Sequence, residues 1–315
     1  MIIETTTLPV GSLGVIDLTL PLIRMKGDQR GPRVVLVGVQ HGGEQTPLIV
    51  FSRLVERLTK QPITRGTLEI IPVANPLGLL FGTRNEPVDQ DNLNRCAPGS
   101  DKTVGSRMAK VITDVVRGAD LVIDCHTFTS RATLFLGVRS PTTGDADTRA
   151  CSAFKMIVPD AIWEISPSHA EDTVFKGVLT DVLAAEGTPA IGLEMERHQT
   201  ISDAMIDRIA DGLDRVIMQL GMRDGPIVGS VVTPLIRYRA TSLYSDDAGL
   251  FIPCVVPGQV IDQGAKLGDV IDLRTLTTKS IINKKSGTVL TIRFRDVIRL
   301  GSKIASIGTT LGELN

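Results

Sequence analysis

Short apolar runs alternate with amphipathic stretches along the first two thirds of the chain. Residues 34–40 form a β-branched run, which is typical of a strand buried on both faces. Residues 47–60 follow with Leu48, Phe51 and Leu54 at helical spacing, behind a proline that is tolerated at a helix start. The same reasoning predicts further strands at 67–75, 120–126, 132–138, 161–165 and 189–196, and further helices at 104–117, 147–157, 174–186 and 202–220. Strands that alternate with helices predict an α/β fold with a largely parallel central sheet.

The pattern changes near residues 221–226. Beyond this point no segment shows helical periodicity, and short β-prone runs are separated by glycine-containing turns. We therefore predict two domains, an α/β domain over residues 1–224 and a small all-β domain over residues 225–315.

Residues 76–100 interrupt the alternation within the α/β part. This stretch contains too many turn residues for a regular element, and it is longer than most loops in compact domains. Long loops of this kind often carry binding or catalytic residues. We predict an irregular segment with a functional role.

Composition excludes several classes of partner. The chain has 34 basic and 35 acidic residues, so no excess of positive charge would attract nucleic acid or an anionic membrane. No apolar run approaches the roughly 20 residues of a membrane span, and the N-terminal residues lack the pattern of a secretory signal. The four cysteines are scattered, which favours free thiols. These features predict a cytoplasmic protein.

Three metal-ligating side chains fall at predicted strand ends. His41 and Glu44 follow the first buried strand, and His126 closes another. In an open α/β sheet the carboxyl ends of the strands form the ligand-binding crevice. Two imidazoles and one carboxylate leave a fourth position for water, the arrangement of catalytic zinc. An HxxE pair alone is common, and His126 alone could be a hydrogen-bonded core residue; Asp124 could orient its imidazole or serve a structural role.

Hydrolysis at such a site needs a base for the water. Glu194 and Glu196 are both candidates, because they share one face of the predicted strand 189–196. A carboxylate at the end of a buried strand is costly unless it has a task or a partner. Glu196 could instead pair with Arg197 or His198.

The long loop supplies two arginines, Arg84 and Arg95. A planar guanidinium group suits bidentate pairing with a substrate carboxylate. The alternative is a salt bridge to Glu86, Asp89 or Asp91 in the same loop.

Five separated motifs resemble the succinylglutamate desuccinylase/aspartoacylase family, a branch of the zinc carboxypeptidase superfamily. They occur in the family's order over residues 34–196: GVQHGGEQ, NPLGLLFGTR, DNLNR, DCHT and PAIGLEME. The resemblance implies a zinc-carboxypeptidase-like fold in which helices flank a mixed, largely parallel sheet.

The same resemblance implies the roles of individual residues. It implies one Zn²⁺ per chain bound by His41, Glu44 and His126, with Glu194 as the catalytic glutamate. Substrate-carboxylate binding is implied for three residues of the long loop, Arg84, Asn94 and Arg95. The expected partner is a small molecule that carries a carboxylate.

The C-terminal part has a resemblance of its own. NKKSGTVL and the preceding VVPGQVIDQGAKLG look like the barrel-sandwich fold of biotinyl and lipoyl domains. Lys279 is displaced from the position of the modified lysine in such domains, so we predict no covalent cofactor. The expected role of this domain is to shape the active-site mouth or to support a homo-oligomer.

We expect a zinc-dependent amidohydrolase that cleaves the amide bond of an N-acyl amino acid or a related small amide. The metal would activate water and polarise the carbonyl group, and Glu194 would act as general base and then as general acid. The alternatives are a metallocarboxypeptidase acting on peptides, an esterase or lactonase, and a noncatalytic binding protein with the same fold.

Overall fold

The computed structural model describes residues 1–166, 175–227 and 234–314. Its α-helices are α1 (Thr46–Lys60), α2 (Pro76–Phe81), α3 (Val104–Val116), α4 (Gly144–Ile157), α5 (Leu179–Ala185) and α6 (Asp203–Gln219). Its strands in the α/β part are β1 (Ile2–Ser12), β2 (Asp17–Lys26), β3 (Gln29–Gly38), β4 (Arg65–Ile71), β5 (Leu121–Phe128), β6 (Arg131–Thr133), β7 (Leu136–Arg139), β8 (Ala161–Glu164) and β9 (Ala190–Glu196). The later strands are β10 (Ile236–Tyr244), β11 (Gly249–Pro253), β12 (Val260–Ile261), β13 (Lys266–Ile271), β14 (Thr278–Ile282), β15 (Gly287–Arg293), β16 (Asp296–Ile298) and β17 (Lys303–Glu313).

The main sheet is mixed, and its centre is parallel. Strands follow one another in the order β1-β2-β4-β3-β5-β9-β7-β8-β10-β17-β15-β12. The neighbours β4, β3, β5 and β9 run parallel, whereas β2 joins β4 and β7 joins β9 in antiparallel fashion. The α/β fold and the C-terminal β region expected from the sequence are both confirmed.

Helices cover both faces of this sheet. Alternate residues of β3 point to opposite faces, so Val34 and Leu36 pack with α1, α4 and α6, while Val35 and Val37 pack with α3 and α5. The continuous apolar run at residues 34–40 is explained by this burial on both sides. Each full burial of such a side chain contributes about 1.5–3 kcal/mol to folding.

Helix α1 covers one face of the main sheet with a stripe of apolar side chains. Pro47 lies in its first turn, and Val50, Phe51, Leu54 and Leu58 are buried along one side. These spacings place all four side chains on the stripe that faces the sheet. The helix predicted at 47–60 therefore forms with nearly the predicted bounds.

Three other elements differ from the sequence prediction. The irregular stretch 76–100 contains the short helix α2 and a 3₁₀ turn, Leu93–Arg95. The single strand predicted at 132–138 is interrupted and forms β6 and β7, which pair with different strands. The helix predicted from residue 174 is found over Leu179–Ala185, while residue 174 itself lies outside the described residues.

Strands β1 and β2 were not predicted. β1 is mostly solvent-exposed and pairs antiparallel with β2, which extends the sheet beyond β4. Its threonine-rich sequence has strand propensity but little apolar alternation. It is held by backbone hydrogen bonds rather than by burial, and a search for hydrophobic periodicity does not detect such a strand.

The C-terminal strands continue the main sheet and add a second one. β10 pairs in parallel with β8, and β15 pairs with β6, while β14-β13-β11-β16 form a separate four-stranded sheet. A core around Phe251 and Leu267 fills the space between these strands. The domain boundary near residue 224 and the barrel-sandwich resemblance stay predictions. In the described parts of the chain, no helix is both long enough and apolar enough to cross a membrane.

Candidate active site

The turn after β3 places His41 and Glu44 at the carboxyl end of the sheet. Both side chains are buried, with 2% and 3% of their surface exposed. The backbone N–H of Glu44 donates to the carbonyl of His41 at 2.9 Å, which closes the turn. A Cβ on Gly42 would lie 1.8 Å from the carbonyl oxygen of Gly78, so only glycine allows α2 to approach this closely.

Glu44 lies between the two histidines. Its Oε1 atom is 2.8 Å from His41 Nδ1, and its Oε2 atom is 2.9 Å from His126 Nδ1. One potential ligand atom from each of the three residues lies within 4.8 Å of the other two. The structure thus brings together all three predicted metal ligands.

The donor set fits a metal ion. His41 Nδ1 is buried and makes no hydrogen bond to any residue that the structure describes, even though Glu44 is so near. A buried polar atom without a partner is costly, and a cation between these side chains would remove that cost. Two imidazoles and a carboxylate are the ligands that zinc accepts at catalytic sites.

The opposite nitrogen of each histidine is held by a neighbour. His126 Nε2 lies 2.9 Å from Asp124 Oδ2, and His41 Nε2 lies 2.9 Å from Asn92 Oδ1. Since the amide oxygen of Asn92 only accepts, Nε2 of His41 carries the proton and its Nδ1 keeps a lone pair. The Nδ1 atom of His126 faces Glu44 Oε2 at 2.9 Å. The orienting contact considered for Asp124 is present, whereas Asn92 was missed although it lies within the DNLNR motif.

Charge explains the ionisation of this cluster. Burial favours the neutral form of Glu44, but its interactions with the neighbouring His41 and His126 hold its pKa well below the usual range. Burial also opposes a charge on His126, yet Asp124 and Glu44 raise the pKa of His126 well above that of a free imidazole. The carboxylate of Glu44 and the imidazole of His126 thus stabilise each other's charged forms.

Glu194 lies on β9, next to the strand that carries His126. The two are register partners across β5 and β9. Burial raises the pKa of Glu194 to about 7; His126, Arg84 and Arg131 act against this rise, and Glu44 adds to it. His41, Glu44 and His126, called the triad below, line one cavity. Of the two candidate bases, Glu194 lines the same cavity, and Glu196 is not among the lining residues that the structure describes.

The arginines of the long loop lie at the same cavity. Arg84 Nη1 contacts Glu44 Oε1 at 2.9 Å, while its side chain stays 58% exposed. The guanidinium group of Arg95 lies 5.3 Å from the ring centre of Phe175, and burial lowers its pKa. Among the described residues, neither arginine pairs with an acidic residue of its own loop. Glu86 accepts bonds from the backbone of Val88 and Asp89 instead.

Asn94 connects the long loop to β5, the strand that carries His126. Its amide nitrogen is 3.1 Å from His126 Nε2, and its amide oxygen accepts a bond from the backbone N–H of Leu179 at 3.1 Å. The side chain is buried. Asn94 therefore lies between His126 and α5, directly beside Arg95.

These groups surround a cavity of about 760 Å³. The C-terminal strands form part of its wall through Ser242 and Tyr244 of β10 and Lys303 of β17. Arg131 of β6 also lines it. Sequence reasoning missed all four residues, because no local motif marks them and only tertiary packing brings them to the site.

Comparison with known proteins assigns this arrangement to a family. The sequence profile of the succinylglutamate desuccinylase/aspartoacylase catalytic domain matches residues 30–220, more than half of the chain. The chain belongs to this family. The assignment confirms the resemblance carried by the five motifs and places the protein among deacylases.

Members and neighbours of the family match over almost the whole chain. The N-α-acetyl-L-2,4-diaminobutyric acid deacetylase of Halomonas elongata is 25% identical over 296 residues, which cover 90% of this chain and 84% of the relative. The product-bound ectoine utilization protein EutE (DoeB) of Ruegeria pomeroyi has a TM-score of 0.84 at 20% identity, and the match covers 98% and 95% of the two chains. An aspartoacylase family protein of Mesorhizobium loti has a TM-score of 0.79 at 24% identity, again covering 98% and 95%. These structures show that the fold is shared.

Proposed function

We propose that this protein is a zinc-dependent hydrolase that cleaves the amide bond of an N-acyl amino acid or a related small amide. One Zn²⁺ per chain would be held by His41, Glu44 and His126. The observation that carries the proposal is the buried, unbonded Nδ1 atom of His41 facing Glu44, with His126 on the other side of the same carboxylate. Membership of a deacylase family supports the reaction type.

Glu194 is the proposed general base and acid. When bound, zinc supplies Lewis acidity, which lowers the pKa of water to about 7 and polarises a carbonyl group. The Glu194 carboxylate takes the proton from the attacking water and returns it to the leaving nitrogen. A base works best when its pKa lies near the working pH, and the buried position of Glu194 brings its pKa into that range.

Arg84, Asn94 and Arg95 are the proposed binders of the substrate carboxylate. Among the described residues, Arg95 forms no ion pair, although it lies in a cavity beside the triad. A guanidinium group held in this way binds a carboxylate by donating two parallel hydrogen bonds to its oxygens. The amide of Asn94 adds a donor next to it and aligns the carboxylate relative to His126.

The partner that fits this site is a small molecule with a carboxylate. A cytoplasmic location is consistent with free cysteines, two of which, Cys125 and Cys151, are buried within the α/β part. A contribution of the C-terminal strands to a homo-oligomer stays a prediction.

The test combines metal analysis with an activity panel. Purified protein should contain one zinc per chain and should release the free amine from N-acetyl or N-succinyl amino acids. Glu194→Gln should retain zinc and lose more than about 1,000-fold in kcat. Glu196→Gln is the matched control, since it removes a carboxylate from the same strand outside the cavity, and it should retain activity.

The outcomes separate the alternatives. Hydrolysis of short peptides in preference to N-acyl amino acids would assign a carboxypeptidase activity. Turnover of chromogenic esters or lactones alone would assign an esterase or lactonase. Stable, metal-free protein without activity would assign a noncatalytic binding role, and near-normal turnover by the Glu194 variant would reject the proposed base.

A further inference from the structure

A second cavity, of about 390 Å³, adjoins the first one at the triad. The two cavities share His41, Glu44, Arg84 and Thr129 as lining residues. The described residues that line the second cavity and not the first include three consecutive ones that follow β9: Arg197, His198 and Gln199. Two ligands of the proposed metal therefore lie where the two cavities meet.

The guanidinium group of Arg197 has no anionic partner among the residues that the structure describes. Its central carbon lies 4.1 Å from the ring centre of Phe294, in the C-terminal part of the chain. Its Nε atom is buried without a hydrogen bond, and the pairing with Glu196 considered from the sequence is not found. Stacking on an aromatic ring holds the guanidinium group in place, and its hydrogen-bond donors stay available to an anion.

His198 is a second uncommitted polar group on the same wall. Its Nδ1 atom is buried and has no hydrogen-bond partner in the described part of the chain. A buried polar atom without a partner is costly. An imidazole that no described residue bonds to can place its proton on the nitrogen nearer to a ligand. Arg197 and His198 thus offer donors to one ligand.

The charge of the second cavity favours a small anion. Its cationic lining residues are Arg84 and Arg197, and the acidic one that the structure describes there is Glu44. The oxygens of Glu44 are already engaged with His41, His126 and Arg84. One guanidinium group is therefore uncommitted, which matches a single negative charge. A carboxylate accepts two parallel hydrogen bonds from such a group, and the volume lies at the small end of the range for organic ligands.

The proposed reaction produces a carboxylate at the border of this cavity. Water adds its oxygen to the acyl carbon and its protons end on the products, the C–N bond breaks, and the products are the carboxylate of the acyl group and a protonated amine. The amine half keeps the carboxylate assigned to Asn94 and Arg95, which line the first cavity and not the second. The acyl carbon reacts at the triad, and His41 and Glu44 line both cavities.

We propose that Arg197 and His198 form a binding site for a small carboxylate, and that the acid released from the acyl group is its ligand. The identity of the ligand rests on the proposed amide hydrolysis. The acid and the amine half then occupy separate cavities, so neither has to leave before the other. Arg84, which lines both cavities, lies between the two products.

Titration of metal-free protein with acetate tests the site without the reaction. The metal is removed with a chelator, and the chelator is dialysed away because it carries carboxylates itself. Saturation-transfer NMR on the acetate methyl group measures the dissociation constant. Acetamide, the neutral analogue, should bind at least about tenfold more weakly, and free alanine should not displace acetate. Displacement by alanine, or tighter binding of inorganic phosphate than of acetate, would overturn the proposal.

Substitutions locate the bound acetate. Arg197→Met should raise its dissociation constant by about tenfold or more, and Arg197→Lys should retain part of the affinity. His198→Leu should weaken binding by about threefold to tenfold, and it carries the test with Arg197→Lys if thermal unfolding shows that Arg197→Met does not fold. Arg239→Met is the matched control, because Arg239 also has a buried Nε atom without a hydrogen bond among the described residues, yet it is not among those that line either cavity.

Arg95→Met separates the two cavities. Acetate could also bind to Arg95, so each titration is repeated in the Arg95→Met background, where acetate binding should persist and should still depend on Arg197. Loss of acetate binding in Arg95→Met, with Arg197→Met unaffected, would place the acid in the first cavity and reject the site.

Hydrolysis assays on the zinc-loaded protein distinguish this proposal from the proposed function. Acetate binding that depends on Arg197, without turnover of any N-acyl amino acid, would retain the carboxylate site and reject the acyl acid as its ligand. Turnover without acetate binding that depends on Arg197 would leave the hydrolase and reject the site.

Discussion

The amide nitrogen Nε2 of Gln40 donates to both carboxylate oxygens of Asp124, at 2.8 Å from Oδ1 and 2.7 Å from Oδ2. Both side chains are buried, and Asp124 in turn contacts His126 Nε2. A chain of three side chains therefore connects the end of β3 to His126 on β5. The orientation of His126 depends in part on Gln40, which does not contact His126 itself.

Gln40→Met should weaken zinc binding by about 10–100-fold, since the carboxylate that orients His126 loses its support. Competition with a chromogenic chelator measures this affinity. Gln263→Met is a suitable control, because Gln263 is exposed in the C-terminal part, and it should bind zinc like the unaltered protein. Unchanged affinity in the Gln40 variant would remove Gln40 from the supporting network.

Gly42→Ala should lower the free energy of unfolding by at least about 1–3 kcal/mol. The new Cβ would meet backbone atoms of Gly78, which cannot move without shifting α2. Urea denaturation measures the loss. The neighbouring Gly43→Ala is a close control, since its Cβ would lie 3.4 Å from Thr129 Cγ2, an ordinary contact. Equal stabilities of the two variants would contradict the close approach of α2.

Glu194→Gln should stabilise the metal-free protein at pH 8.5 and have little effect at pH 5. The pKa of Glu194 is about 7 in the folded protein, against an ordinary value of 4.5. A carboxyl group with a raised pKa loses its stabilising contribution as the pH rises from 4.5 to 7, so the ionised group destabilises the fold above that range.

Thermal unfolding of both proteins at the two pH values, with chelator present, checks this difference. Glu196→Gln, which changes the same strand outside the cavity, is the matched control under the same conditions. A Glu194 variant that is less stable than the unaltered protein at pH 8.5 would show that burial does not control the ionisation of this carboxyl group.

Cys254 should react first with a thiol reagent at pH 8. It is exposed, whereas burial and the charge of Asp91 raise the pKa of Cys96 to about 11, and Cys125 is fully buried. Only a thiolate reacts readily. Absorbance changes with a disulfide reagent should show one fast phase, which Cys254→Ser should remove; persistence of the fast phase in that variant would contradict this order.

The elements predicted best from sequence are those in which pattern and burial agree. The β3 run predicted a strand covered on both faces, and alternate residues of β3 do pack in separate cores. The triad was predictable for a related reason. Parallel strands end at one edge, so His41 and His126 had to lie near each other once β3 and β5 were neighbours.

The features that were missed depend on contacts distant in sequence. β1 is defined by its pairing with β2 rather than by an apolar face. Arg131 becomes part of the cavity because β6 pairs with β15, more than 150 residues further along the chain. Tyr244 and Lys303 reach the cavity from β10 and β17, the C-terminal strands of the main sheet. None of these positions has a local signal that separates it from an ordinary surface residue.

The parallel pairing of β8 with β10 also bears on how such enzymes diversify. One hydrogen-bonded sheet contains both β5, which carries His126, and the C-terminal strands β10 and β17, which form part of the cavity wall. Exchange of C-terminal segments between relatives therefore requires a compatible edge strand, and a mismatch exposes unpaired backbone on β8. Gradual substitution at wall positions such as Ser242 and Tyr244 avoids that penalty.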